Sequence, residues 1–204
     1  MADSDLPFGS VAGGSSGTTS WGTAIVAAAQ QFRADHGEHP DPGVETTAAS
    51  GQYADMDGHA LHSFGAVFCE ARVHRYTGEV RVPRLLGVYS VGRVVNPRTA
   101  RSQLLGGLVM GLSAALHEEG WRDPRTGHVV TQDLATYHVA AHADVQQLDA
   151  EWLDDVDELS TPMGSRGIGE IGIVGTAAAV ANATYHATGV RVRDLPLTAD
   201  HFLE

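Results

Sequence analysis

Glycine is concentrated in one short stretch near the end of the chain, and the residues after it are mostly alanine. Four glycines fall within residues 164–172, namely Gly164, Gly167, Gly169 and Gly172. Because glycine lacks a Cβ, this stretch can turn sharply and let another group approach the backbone. The run 176–183 predicts a helix from about 173 to 188, closed by Gly189. A single acidic residue, Glu170, lies in the loop before this helix, whose N–H groups point back toward it. We interpret Glu170 as a candidate general base.

The composition excludes several classes of protein. The chain has 204 residues, of which 43% are hydrophobic, so it can bury a core. Its formal charge of −12 argues against nucleic acid and anionic membranes as partners. No apolar run approaches the roughly 20 residues of a membrane span, and the first residues lack the features of a signal peptide. The one cysteine, Cys69, excludes an internal disulfide and fits a reducing, cytoplasmic compartment.

The distribution of apolar and turn residues predicts an α+β fold. Helices are expected over 18–34, with Thr18, Thr19 or Ser20 as the cap, and over 97–119, where Pro97 suits the first turn. Alternating residues predict strands over 62–73 and 80–91, joined as a hairpin by the turn at 76–79. The run 190–193 is a further candidate strand, and 133–150 is ambiguous. We divide the chain into an irregular lead-in over 1–17 and one α+β domain over 18–204.

Two glycine motifs have well-known interpretations that the sequence does not favour. The loop over 167–172 spells G-x-G-x-x-G, but a dinucleotide site needs a buried strand directly before it, and residues 158–166 are polar. The segment 13–17 spells G-x-S-x-G, but Leu6 to Ser10 make a poor strand for a nucleophile elbow. A hydroxyl-rich loop at a helix start is the better interpretation of 13–17. Such a loop suits an anionic cofactor, because hydroxyls and helix N–H groups together bind phosphate.

Three other polar residues or pairs stay open to a plain structural role. His138 and His142 are spaced by one helical turn, but no third ligand is evident, so we expect no metal site on them. Gln103 lies on an otherwise apolar helix whose glycines, at 106, 107 and 111, permit close approach of another element. Its partner is either structural or a cofactor amide. Cys69 is expected to be a buried, inert thiol.

Several segments, in this order, resemble the C-terminal part of the large subunit of molybdenum hydroxylases, the xanthine dehydrogenase, aldehyde oxidase and CO dehydrogenase family. The matching pieces cover nearly the whole chain, and the loop Gly167-Ile-Gly169-Glu170 with its alanine-rich helix is the most specific of them. The others lie at 14–20, 63–73 with 77–80, 92–97, 103–107, 111–112 with Glu118, 176–183 and 187–190. Two pieces depart from the family pattern: Ser90 replaces an acidic residue, and Asp133 begins a segment that usually starts with asparagine.

The resemblance implies a specific site. Glu170 would take the proton from a molybdenum-bound hydroxyl that attacks an aldehyde or N-heterocycle, while hydride passes to a sulfido ligand. The molybdopterin would be held by the hydroxyl-rich loop, by Gln103 and by the glycines of the G-x-G-E loop. In the loop the binding residues would be Ser15, Ser16, Gly17, Thr18, Thr19 and Ser20, and the glycines would be Gly167 and Gly169. Electrons would leave through 2Fe-2S clusters and usually FAD on partner domains or subunits.

The resemblance also implies that the site is incomplete. Subunits of the family are several times longer, so an N-terminal half, in the same or another chain, would complete the cofactor and substrate pockets. We therefore expect apolar surface on this chain and association or poor solubility when it is alone. A non-catalytic assembly or scaffold piece remains an alternative, and a nucleotide-binding domain is a further one.

Overall fold

The computed structural model describes residues 12–48, 58–157 and 159–203. They form two compact units. The first, which we call the loop unit, comprises Met1–Ser63, Val91–Val94 and Asp154–Gly169. The second, the sheet unit, comprises Phe64–Ser90, Val95–Leu153 and Glu170–Glu204. The mixture of helix and sheet confirms the predicted α+β class.

The loop unit contains one long helix, α1, over Gly17–His36, which confirms the helix predicted over 18–34. The predicted cap is wrong, because the residue at the N-cap is Ser16, after a 3-10 turn at Gly13–Ser15. Thr18, Thr19 and Ser20 are inside the first turn. Thr19 already takes part in the helix, since its carbonyl accepts a hydrogen bond from the Thr23 hydroxyl at 2.7 Å.

The sheet unit contains a three-stranded sheet in the order β1-β2-β3. Strands β1, over Phe64–Val73, and β2, over Val80–Ser90, form the predicted antiparallel hairpin. Its turn contains Gly78, whose φ of +70° favours glycine. Strand β3, over Gln147–Trp152, runs parallel to β2 and lies partly in the region that the sequence left ambiguous. Apolar and charged residues alternate through Leu148-Asp-Ala-Glu-Trp152, which is the strand signal that we missed.

Three helices accompany this sheet. Helix α2, over Pro97–Leu116, starts where predicted, and the Asn96 side chain accepts hydrogen bonds from the N–H groups of Arg98 and Thr99. It ends three residues before the predicted 119, and its Ala115 carbonyl accepts a hydrogen bond from Leu197. The predicted helix over 173–188 is two helices, α3 over Ile171–Val174 and α4 over Thr176–Thr188, which Gly189 closes with φ +75°.

The remaining predicted element is absent from the structure. Residues 190–193 are described and carry no strand. They follow the left-handed Gly189 directly, and the Val190 N–H donates to the Thr188 hydroxyl, so local bonds replace a sheet partner there.

The core of the sheet unit forms where α2 meets α3 and α4. Leu104, Leu108 and Val180 are fully buried in it. A Cβ on Gly107 would lie 2.7 Å from the backbone of Gly172, so the two helices pack with almost no side chain between them. The glycines of α2 thus confirm the expectation of close approach at positions 107 and 111, whereas Gly106 faces open space.

Candidate functional site

The glycine loop of the loop unit lies directly on the turn that precedes α1. The N–H of Gly169 donates to the carbonyl of Gly14 at 2.8 Å. A Cβ on Gly167 would lie 2.6 Å from that same oxygen, and a Cβ on Gly169 would lie 2.5 Å from Oγ of Ser15. The loop therefore fits against this turn only because positions 167 and 169 are glycine. The glycine loop and the hydroxyl-rich segment before α1, which are far apart in the sequence, are therefore in direct contact.

The turn beneath the loop holds an unusual backbone conformation. Gly14 and Ser15 have φ values of +61° and +63°. The left-handed region is uncommon for serine and costs of order 1 kcal/mol or more. Such conformations persist where surrounding contacts fix them, and they are frequent at functional sites.

The N-terminus of α1 opens beside this turn without a side-chain cap. The Ser16 hydroxyl donates to the Gly13 carbonyl at 2.9 Å, and it accepts no hydrogen bond from the helix N–H groups. The first turn holds no acidic residue. The positive end of a 20-residue helix is therefore left for a ligand, and an anionic group is the one it favours.

A cavity of about 340 Å³ adjoins the helix start and the glycine loop within the loop unit. Its walls are rich in hydroxyls and backbone, with one cation. The lining residues are Gly13, Gly14, Ser16, Thr19, Leu61, His62, Ser63, Ser160, Thr161, Ser165, Arg166 and Gly167. Hydroxyls and backbone N–H groups can bind a polar, anionic group. The residues present therefore fit the polar part of a cofactor that carries phosphate.

The cation of this cavity, Arg166, is held by two carboxylates. Its guanidinium lies 3.0 Å from the Asp155 carboxylate and 3.2 Å from that of Asp157, and it donates to the His62 carbonyl at 2.6 Å. Burial alone would raise the pKa of Asp157. Hydrogen bonds from Ser160 and Leu159, together with the charge of Arg166, lower this pKa below its usual value. The Asp157 carboxylate therefore stays ionised and helps to keep Arg166 in place at neutral pH.

The sequence alone did not reveal this ionic cluster, because residues 158–166 were interpreted only as a polar segment before the glycine loop. The signal was a lone arginine just after a run of aspartates, in a segment otherwise rich in serine and threonine. Spacing alone does not show which aspartates turn inward, because the chain between them follows no regular period.

Glu170 follows this loop directly and is the first residue of the sheet unit. Its side chain is exposed, and its carboxylate makes no hydrogen bond or ion pair with the residues that the structure describes. It occupies the N-cap of the single-turn helix α3. The expectation that it lies at the mouth of the alanine-rich helix is therefore wrong by one turn, since α4 begins at Thr176. The carboxylate remains available to accept a proton.

The other expected binding residues fall into two groups. Gly17 and Thr19 are buried in the loop unit, Ser16 and Ser20 are half-buried, and Ser15 and Thr18 are exposed. The Thr19 hydroxyl is 3.2 Å from that of Ser165, which ties the helix start to the wall of the cavity. Gln103 lies on α2 in the sheet unit and is exposed, although most of its neighbours on that helix are apolar.

The remaining motifs do not form sites. His138 lies in an irregular segment and His142 in a 3-10 turn, so they do not share the face of a helix. Across the described part of the chain, no group of three or more His, Cys, Asp or Glu side chains could hold a metal ion. Burial and the neighbouring Glu70 raise the pKa of the Cys69 thiol to about 11, which makes it unreactive at neutral pH.

Of the two glycine motifs, the structure tests the common interpretation of one. Residues 159–169, before and within G-x-G-x-x-G, include no strand, which removes the basis of a dinucleotide fold. The segment Leu6 to Ser10, before G-x-S-x-G, lies outside the described residues.

Large apolar side chains lie exposed on the loop unit as well as on the sheet unit. On α1, Trp21 and Ile25 are 61% and 68% exposed and are spaced by one turn. On β1, Phe64 and Phe68 are more than half exposed. These observations support the expected apolar surface. Within the described residues, no helix is both long and apolar enough to cross a lipid bilayer.

Comparison with known proteins connects this geometry to a family. Residues 41–146 match the family model described as the molybdopterin cofactor-binding domain. The aldehyde oxidoreductase molybdenum-binding subunit of Escherichia coli is 50% identical over 142 residues, which are 70% of this chain and 19% of that subunit. The xanthine dehydrogenase molybdenum-binding subunit of Escherichia coli is 32% identical over 166 residues, or 81% of this chain and 22% of that one.

The fold is similar to that of a solved enzyme as well. A Cu,Mo-CO dehydrogenase structure superposes with a TM-score of 0.77 over 97% of this chain and 30% of the other, at 19% identity. The chain spans about a fifth of the length of the curated relatives it matches. The matched family range ends before the glycine loop, and of the residues that line the cavity it includes Leu61, His62 and Ser63.

Proposed function

Since the chain belongs to the family of molybdopterin cofactor-binding domains, we propose that it is the catalytic C-terminal portion of a molybdenum hydroxylase. The observation that carries the proposal is the docking of the glycine loop onto the uncapped start of α1. This docking forms a hydroxyl-lined cavity, and its last lining residue, Gly167, lies three residues before Glu170 along the chain. The Glu170 carboxylate has no hydrogen-bond partner among the residues that the structure describes.

The loop unit holds the cofactor in this proposal. The N–H groups at the start of α1 and the hydroxyls of Ser16 and Thr19 bind phosphate, as helix starts generally do. Gly167 and Gly169 let the cofactor approach the backbone, and Ser15, Gly17, Thr18 and Ser20 complete the loop. Gln103 of the sheet unit supplies an amide to the pterin. When bound, the molybdenum centre with its sulfido ligand supplies the two-electron oxidation of the substrate.

Glu170 acts as the general base. It accepts the proton that is released as the new C–O bond forms at an electron-poor carbon of an aldehyde or N-heterocycle. A base in this role must lie within hydrogen-bond reach of that proton and have a pKa suited to the working pH. The Glu170 carboxylate is exposed and has no partner within the described part of the chain, so it is free to take that position.

The proposal includes partners. An N-terminal half, in the same or another chain, covers the exposed apolar residues such as Trp21 and Ile25 and supplies the rest of the substrate pocket. Iron-sulfur and FAD subunits accept the electrons. The single cysteine favours a reducing, cytoplasmic compartment.

The test is analysis of molybdenum and pterin in this chain, purified with whatever accompanies it from its native host. Near-stoichiometric molybdenum with a larger partner supports the hydroxylase. Absence of molybdenum in the complete complex contradicts it and favours the alternative, a scaffold piece that retains the fold without the chemistry.

A further inference from the structure

Arg166 has more fixed contacts than any role in binding a cofactor requires. Its side chain is only 13% exposed, and three acceptors hold the guanidinium: the Asp155 and Asp157 carboxylates and the His62 carbonyl. A planar guanidinium suits several acceptors at fixed angles, whereas an ammonium group does not. The ionic cluster therefore fixes the orientation of the Arg166 side chain as well as balancing its charge.

The backbone on either side of Arg166 is anchored too. Its N–H donates to the Val91 carbonyl at 3.1 Å, and the Gly164 carbonyl accepts from the N–H groups of Arg93 and Asp157, at 2.6 and 3.0 Å. Three separate chain segments thus meet at residues 164–166. The glycine loop begins at the next residue and is tied at its far end by the bond from Gly169 to Gly14.

Between these two anchors the loop has little stiffness of its own. Gly167 and Gly169 have no side chains, and glycine restricts the backbone less than any other residue. The Gly167 carbonyl accepts one long bond, 3.3 Å, from the Ser63 hydroxyl. Order in the loop must therefore come from its ends, and the entry end is Arg166.

We propose that Arg166 is a positioning residue, which fixes the glycine loop and through it the backbone that carries Glu170. The part concerning Glu170 rests on the proposed function above. The part concerning the loop does not, because it needs only the contacts within the loop unit.

The first test is hydrogen exchange of the Gly169 amide in the complete chain without cofactor. The Arg166→Gln substitution should speed hydrogen exchange of the Gly169 amide at least about tenfold, because the loop is then closed in a smaller fraction of the molecules. The amides of α4 should keep their exchange rates. Unchanged exchange at Gly169 would overturn the proposal. Arg101→Gln is the matched control, because Arg101 also bonds one carbonyl and one carboxylate but lies in the sheet unit.

Removing Arg166 alone leaves two carboxylates without their cation and could unfold the loop unit. The triple variant Asp155→Asn, Asp157→Asn, Arg166→Met removes all three charges together and keeps the test valid. It should also speed exchange of the Gly169 amide, because the two asparagine amides and the methionine thioether cannot reproduce the ion pairs that hold Arg166. Arg166→Lys should give an intermediate exchange rate, since lysine keeps the positive charge but lacks the planar guanidinium.

The second test uses the complex with its partner. Arg166→Gln should lower kcat by up to about a hundredfold with KM little changed, as expected when a reacting group is displaced. Faster exchange with unchanged kcat would show a merely structural anchor and overturn the positioning role. If the unmodified complex lacks molybdenum and turnover, the proposed function fails, and the exchange measurement still decides the role of Arg166.

Discussion

Both units use glycine to bring two pieces of backbone together, but they surround the contact differently. In the loop unit, Gly167 and Gly169 lie against Gly14, among hydroxyls and an ionic cluster. In the sheet unit, Gly107 lies against Gly172 among fully buried leucines such as Leu104 and Leu108. A close contact in an apolar setting stabilises a fold through packing. The same contact in a polar, open setting leaves donors and a cavity for a ligand.

The largest effect is predicted at Glu170, the residue that directly follows the glycine loop. Glu170→Gln should preserve the fold and the cofactor content but lower turnover by about 10²–10⁴-fold, as expected on loss of a general base. Steady-state kinetics of the molybdenum-loaded complex measures this. Glu119→Gln is the control, because Glu119 is also exposed and lies outside the site. Turnover near that of the unmodified enzyme would remove Glu170 from the mechanism.

The next effect concerns the apolar contact. Gly107→Ala should lower the free energy of unfolding by about 1–3 kcal/mol, because its Cβ would meet backbone atoms of the facing helix that cannot move aside cheaply. The Cβ would lie 2.7 Å from both Cα and the carbonyl carbon of Gly172. Urea unfolding followed by circular dichroism gives the value. A neutral result would mean that α2 and α3 can separate without loss, and the comparison with the loop unit would fail.

A milder and reversible perturbation is acid. The folded-state pKa of Asp157 is lowered, so its contribution to stability is fully present above its unfolded value of about 3.9 and is lost as pH falls through the folded value. We expect the amide resonance of Gly169 to shift as the pH falls below about 4, before those of Leu104 and Leu108, whose surroundings are apolar. Simultaneous change at both places would show that the two contacts open as one.

The smallest effect has the opposite sign and concerns the neighbour of Gly107. Gly106 is exposed, and a Cβ there would meet nothing within 4 Å. Gly106→Ala should therefore stabilise the protein by about 0.5–1 kcal/mol, the usual gain from alanine in a helix. The same urea titration measures it. A lower free energy of unfolding for Gly106→Ala would mean that another part of the protein covers this face of α2.

Much of the fold was predictable because it follows from local periodicity. Helix α1, the β1–β2 hairpin and the start of α2 at Pro97 were predicted to within about two residues. The third strand was missed, although its alternation through Leu148 and Ala150 is clear, because the segment before it, with two histidines, has no regular period. The break between α3 and α4 at Gly175 was not predicted, because the helix propensity of the flanking residues, alanine above all, favours one continuous helix.

The site was predictable only in part. Glycines, hydroxyls and one carboxylate pointed to a cofactor loop, and the structure brings Gly167 and Gly169 to the turn at Gly14 and Ser15. The cofactor role of Gln103 followed only from the family resemblance and stays a prediction, and the side chain is exposed on α2. The ionic cluster of Arg166 was missed, since it depends on carbonyls and carboxylates from segments a hundred residues apart. Such tertiary contacts leave no spacing to recognise.

The order of segments along the chain has a consequence for how the molecule is made. The chain passes between the two units at residues 63–64, 90–91, 94–95, 153–154 and 169–170. The carboxylates of Asp155 and Asp157, the cation and the glycine loop all belong to the last segment of the loop unit. The cavity beside α1 therefore cannot close until Gly167, the last residue that lines it, has left the ribosome. A ligand of the closed cavity can bind only after the last segment of the loop unit has been translated.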